Sequence, residues 1–205
     1  MEENKTPRLL ISFVVDNSCT VSAERLQAVN EAFAAFAAGA GAGVEWELIS
    51  FDGFQSAVLK GFEQGELAPI APERFPLLGR ATMTAVDRLS ARIEALKAAG
   101  QGTHRPWLFL LSDGFTVDSL EEVAARLDGM ERAGALLYLP FKLSHRLATD
   151  RMQSLDRNKH MIEIKENGLE SFFAFVSRMI EQRASLPADV GVKFAKTDFE
   201  GWAEL

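Results

Sequence analysis

Asp16, Ser18 and Thr20 stand at alternate positions directly after the apolar run Leu9–Val15. A strand that runs into a carboxylate and two hydroxyls presents hard oxygen donors in one loop. In an open α/β sheet that loop lies at the carboxyl end of a strand, where ligands bind. A second carboxylate, Asp113, follows the apolar run Trp107–Leu111 within Ser112-Asp113-Gly114. Arg80-Ala81-Thr82-Met83-Thr84 adds hydroxyls and is expected to form a third loop, just ahead of an amphipathic helix. If the two strands are neighbours where the winding of the sheet reverses, these groups converge on one crevice. An oxygen-only set of this kind suits Mg²⁺, which wants octahedral oxygen and keeps several waters. Mn²⁺ accepts the same donors, whereas the histidine and thiolate ligands typical of zinc are absent from these loops.

The rest of the chain has to hold these loops. Its 205 residues suffice for one sizeable core, and 47% hydrophobic with 25% charged residues is ordinary for a globular protein. A formal net charge of -7 without a basic stripe argues against nucleic acid as a partner. Cys19 is the only cysteine, which excludes an intrachain disulfide and suggests a reducing compartment. The acidic start Met1-Glu2-Glu3-Asn4-Lys5 lacks the cationic region of a signal peptide. Leu9–Val15 is too short to span a bilayer. The expectation is a cytoplasmic protein with no membrane contact.

Apolar strands alternate with amphipathic helices, the pattern of an α/β sheet. Leu26, Val29, Phe33 and Phe36 mark one helix face, and Val86, Leu89, Ile93 and Leu96 another. Val44–Phe51 begins with alternation and reads as a strand near an edge, with 55–62 antiparallel to it after Asp52-Gly53. Trp107–Leu111, Ala135–Phe141 and His160–Lys165 supply further strands. Ser119 with Glu122 suggests a capping box for the next helix, and Asp118 reads as a helix-start residue. The expected architecture is a three-layer α/β/α, doubly wound, Rossmann-like fold. Its central sheet is mostly parallel, with six strands and one antiparallel edge strand. Residues 1–7 read as an extension, 8–184 as the domain, and 185–205 as a tail packed on it through Phe194, Phe199 and Trp202.

On these residues the chain resembles a von Willebrand factor type A (vWA) domain. Asp16-Asn17-Ser18-Cys19-Thr20 matches the Asp-x-Ser-x-Ser element of that family's metal-ion-dependent adhesion site, with Thr20 for the second serine. Thr82 matches its isolated threonine, with Thr84 as the alternative, and Asp113-Gly114 its Asp-Gly. The order of segments over roughly residues 8 to 183 is similar to small stand-alone bacterial vWA proteins related to TerY and YegL, associated with tellurite resistance. The resemblance implies a Mg²⁺ site in which Ser18 and Thr20 ligate directly and Thr82 directly or through water. Asp16 and Asp113 would act largely through water, while Asp52, read from the sequence as a turn residue with Gly53, ends a strand expected near the site. It further implies that a partner protein completes the metal with an Asp or Glu. This is recognition without catalysis.

Two other readings compete. A haloacid-dehalogenase-like phosphotransferase also carries an aspartate nucleophile after its first strand, which would be Asp16. Ser18, however, replaces the acid–base aspartate that this chemistry needs. A metal-free vWA scaffold is the other alternative. P-loop and Rossmann dinucleotide sites are excluded by their missing glycine motifs.

Overall fold

The computed structural model describes residues 6–204 apart from 19–20, 40, 42, 52–55, 63–66, 71–76, 144–149, 156–161 and 188–189. The elements follow in the order β1 (Leu9–Asp16), α1 (Ala23–Gly39), β2 (Val44–Phe51), β3 (Ser56–Lys60) and α2 (Leu78–Ala98). Then come β4 (Trp107–Ser112), α3 (Glu121–Arg132), β5 (Leu137–Lys142), α4 (Asp150–Gln153), β6 (Ile162–Ile164), α5 (Leu169–Ser185) and β7 (Ala203–Glu204).

The strands form one sheet of order β3-β2-β1-β4-β5-β6-β7. β2, β1, β4, β5 and β6 are mutually parallel, whereas β3 and β7 are antiparallel edges. Every residue of β1 is buried, as a near-continuous apolar run interrupted by Ser12 leads one to expect of a strand covered on both faces. The chain leaves β1 toward β2 on one side and reaches β4 on the other, so the winding reverses between β1 and β4. Asp16 ends one of these strands and Ser112 the other.

Alternation along β1 sends Ile11, Phe13 and Val15 to one face, and Leu10, Ser12, Val14 and Asp16 to the other. The first face packs on α1 and α5 in an aromatic core, where Phe13 meets Phe33 at 5.1 Å and Phe109 at 5.3 Å between ring centroids. Aromatic pairs of this geometry contribute roughly 1 kcal/mol each beyond their burial. The second face packs on α2 and α3 through Ala85, Val86, Leu89, Val123 and Leu127. The spacing of apolar residues in α1 and α2 thus marked the faces that are buried, with Ile93 only partly so.

Four features depart from the sequence expectations. The sheet has a seventh strand, because the tail turns at Lys196–Phe199 and pairs β7 with β6. Phe199 and Trp202 are buried there, and Trp202 Nε1 donates to Asp198 O at 2.8 Å. β2 is an interior strand, and its alternation arises from Glu47, which is wholly buried rather than solvated. The capping box at Ser119 does not form: Leu120 is the N-cap of α3, and among the described residues Ser119 Oγ accepts the Glu121 N–H alone, at 3.4 Å. Residues 80–84 form no loop, because α2 already starts at Leu78. The reason for that early start lies in side chains from another loop, described below.

Candidate functional site

Asp16 is carried to the end of β1 by the parallel register with β4, in which Val15 lies opposite Leu111. Its side chain is 0% exposed. Asp16 Oδ1 accepts the Ser18 N–H at 2.9 Å, and Oδ2 accepts the Ser112 hydroxyl at 2.6 Å. Ser112 Oγ in turn accepts the Gly114 N–H at 3.0 Å, which closes the turn after β4. Gly114 takes φ of 88°, a left-handed conformation that side chains disfavour, and so permits the Asp-Gly turn. Asn17 N–H donates to Phe51 O at 3.2 Å and ties the loop after β1 to the end of β2.

Asp113 is likewise buried, at 1% exposure. Its Oδ1 accepts the Phe115 N–H at 2.8 Å, while Oδ2 is buried with no hydrogen-bond partner among the described residues. A buried carboxylate oxygen left unpaired is costly, on the order of 1–3 kcal/mol. Burial raises the Asp16 pKa to about 6, and the charge of Asp113 pushes in the same direction. Hydrogen bonds from Ser112 and Ser18 offset only part of that rise. The structure therefore holds two carboxylates within electrostatic reach of each other, and no cationic side chain bonds to either among the described residues.

Thr82 lies in the second turn of α2, wholly buried, and its hydroxyl donates to Leu78 O at 2.8 Å. Its oxygen keeps lone pairs for another partner. Thr84 is half-buried on a different side of the helix and donates to Arg80 O at 2.9 Å. Thr20, Cys19 and Asp52 lie outside the described residues. Hydrogen bonds thus join Asp16 to Ser18 and Ser112, and charge couples Asp113 to Asp16. Among the described residues, hydrogen bonds also lead from Thr82 by way of Leu78 to Thr116 in the loop after Asp113.

Ser112 was not among the expected ligands, although its hydroxyl holds Asp16. The signal was available: it is the residue before Asp113 on the neighbouring strand. Asp118, expected at a helix start, caps α2, where its carboxylate accepts the Gly79 and Arg80 N–H groups. The donor set remains oxygen-only and hard, the kind Mg²⁺ takes. No group of three or more His, Cys, Asp or Glu gathers among the described residues, so a metal held here would need hydroxyls beside the two carboxylates.

No protein-family model and no curated protein sequence matches the chain. Solved structures do. Proximal thread matrix protein 1 from the mussel byssus aligns with a TM-score of 0.59 at 11% identity, over 83% of this chain and 47% of that one. The N-terminal domain of TFIIH p34 aligns with a TM-score of 0.58 at 10% identity, over 83% of this chain and 96% of that one. The manganese-loaded TRAP protein of Plasmodium vivax aligns with a TM-score of 0.55 at 11% identity, over 72% and 62%. The chain spans about half the length of the byssus protein and under two thirds of the TRAP chain. At such identities the likeness is one of fold, and the fold is vWA-like. No helix among the described residues is long and apolar enough to cross a membrane.

Proposed function

We propose that this chain is a protein-interaction module that holds Mg²⁺ at the crevice between β1 and β4 and recognises an Asp or Glu of a partner protein. The observation that carries the reading is the buried, unpartnered Asp113 Oδ2 beside an Asp16 whose ionised form is disfavoured. A divalent cation offsets both penalties at once. Asp16, Ser18, Thr82 and Asp113 would hold it, with Thr20 from the same loop as Ser18. Bound there, Mg²⁺ supplies a positive charge that few protein anions neutralise, which leaves it attractive to a partner's carboxylate. Ser112 keeps Asp16 oriented, and Gly114 keeps the Asp113 loop tight. The same fold in TRAP was solved manganese-loaded, which supports Mn²⁺ as a probe. The bacterial stress setting implied by the resemblance, tellurite resistance included, belongs to this proposal.

A phosphotransferase reading is less well supported. Both oxygens of Asp16 are engaged by Ser18 and Ser112, which suits an orienting carboxylate better than a nucleophile. Calorimetry with Mg²⁺ and Mn²⁺ tests the proposal: the wild type should bind, and Asp16→Ala and Asp113→Ala should each abolish binding. Absence of binding in the wild type leaves the metal-free scaffold. Hydrolysis of an aryl phosphate, lost on Asp16→Asn, would establish the enzyme instead.

A further inference from the structure

The first turn of α2 has no cap of its own. Leu77 offers it no side-chain bond, and the N–H groups at its start need acceptors from elsewhere. They find them in the loop after Asp113. Leu78 N–H donates to Thr116 Oγ1 at 3.1 Å, Gly79 N–H to Asp118 Oδ1 at 3.3 Å, and Arg80 N–H to Asp118 Oδ2 at 2.9 Å. Thr116 Oγ1 donates its own proton to Asp118 Oδ1. Leu78 O then accepts the Thr82 hydroxyl. A continuous relay therefore runs from Thr82 through Leu78 and Thr116 to Asp118.

The direction of donation in this relay has a chemical consequence. Because Thr82 gives its proton to Leu78 O, what its oxygen has left to offer is lone pairs, as a metal ligand must. Close contact between the two segments depends on Gly79, where a Cβ would lie 2.6 Å from Ser119 O. From the other side, Arg151 of α4 donates to Thr116 O at 2.6 Å and to Asp118 O at 2.9 Å. The loop is thus held against α2 by its side chains and against α4 by its carbonyls.

We propose that Asp118 is a positioning residue for the site, fixing through Thr116 and Leu78 where, and with which proton arrangement, Thr82 presents its oxygen. The α2 helix and the Asp113 loop then move as one unit. This inference rests on the metal-binding reading above. Outer partners that orient metal ligands typically affect affinity by roughly 10- to 100-fold.

The test is a double-mutant cycle on the full chain, with Mn²⁺ affinity measured by calorimetry. Asp118→Ala is expected to weaken Mn²⁺ binding about tenfold. The same change made in a Thr82→Ala background is expected to have no further effect, because the influence of Asp118 passes through Thr82. Equal weakening in both backgrounds, or none in either, overturns the proposal. Asp118→Asn retains acceptor capacity and should lie between wild type and Asp118→Ala, which guards against simple misfolding. Hydrogen exchange of the metal-free protein gives a second readout. The Leu78, Gly79 and Arg80 amides should exchange faster in Asp118→Ala while those of β1 and β4 do not, and unchanged protection would also overturn it. A wild type that binds no Mn²⁺ removes the metal-site reading itself, a result distinct from additive mutants of a protein that does bind.

Discussion

Glu47 and Asp16 are both wholly buried carboxylates on strands of one sheet, and both point toward the α2 layer, yet their surroundings differ. Glu47 accepts the Ser12 hydroxyl at 2.8 Å and the Arg88 Nε–H at 2.7 Å. Its pKa is raised by burial, and the opposing effects come from Arg88, Ser12 and Lys60. Lys60 is itself anchored beside them, donating to Trp46 O at 2.8 Å and lying 4.2 Å from the Trp46 ring centroid. Asp16 also receives a serine hydroxyl, but the charge next to it is another carboxylate. The mid-sheet cluster is a finished ion pair that pins α2 to β2. The cluster at the strand ends is electrostatically unfinished without a cation. Burial alone does not separate the two carboxylates; the sign of the neighbouring charge does, and it is on this difference that the proposed metal site rests.

Removing one charge from each cluster should therefore have opposite consequences. Arg88→Met strands the Glu47 charge in the interior and should destabilise the protein by about 3 kcal/mol in urea denaturation. A stabilising or neutral result would mean that Glu47 takes up a proton at little cost, and the contrast between the clusters would collapse.

The next largest effect is a pH dependence. Asp16 has a folded pKa of about 6, above its ordinary 3.8, so between these values the native state binds more protons than the unfolded one. Metal-free stability should fall as pH rises through that window and level off above it. The change is on the order of 3 kcal/mol by linkage. Urea titrations at successive pH values, with chelator, would reveal it. A stability that rises through the window would contradict the assigned sign.

Asp113→Asn removes the charge that opposes Asp16. In chelator at neutral pH it should stabilise the protein by about 1 kcal/mol, the reverse of Arg88→Met, and flatten part of the pH dependence. A loss of stability on this change would show that Asp113 holds the loop through bonds that outweigh its repulsion. The smallest effect separates the two threonines of α2. Thr84→Ala should change stability by no more than about 0.5 kcal/mol and leave Mn²⁺ affinity unaltered. Loss of Mn²⁺ binding there would transfer the ligand role from Thr82 to Thr84.

Much of this molecule is legible in the order of its residues. The run of β1, apolar on both sides of Ser12, states that it is covered on both faces. The helical spacing of Leu26, Val29, Phe33 and Phe36 states which side of α1 is buried. The positions of Asp16, directly after an apolar run, and Asp113, one residue beyond another, place two carboxylates at strand ends. These signals are local, because a period of two or of 3.6 is a property of neighbouring residues. What escaped was everything that depends on a distant partner. Glu47 looks like a solvent-facing alternation until Arg88, 41 residues later, is folded over it. The short β7 exists only because β6 offers it an edge.

The start of α2 shows the division most clearly. Leu77-Leu78-Gly79 carries no local cap, so the sequence reads as loop up to Thr84. Yet a helix begins wherever its first N–H groups find acceptors. Here those acceptors are Thr116 and Asp118, 38 to 39 residues away along the chain and adjacent only after β4 has taken its place beside β1. Residue types and spacing sufficed to place the carboxylates, whereas the hydroxyl of Thr82 acquired its setting from a hydrogen-bonding partner that only the tertiary fold could bring to it.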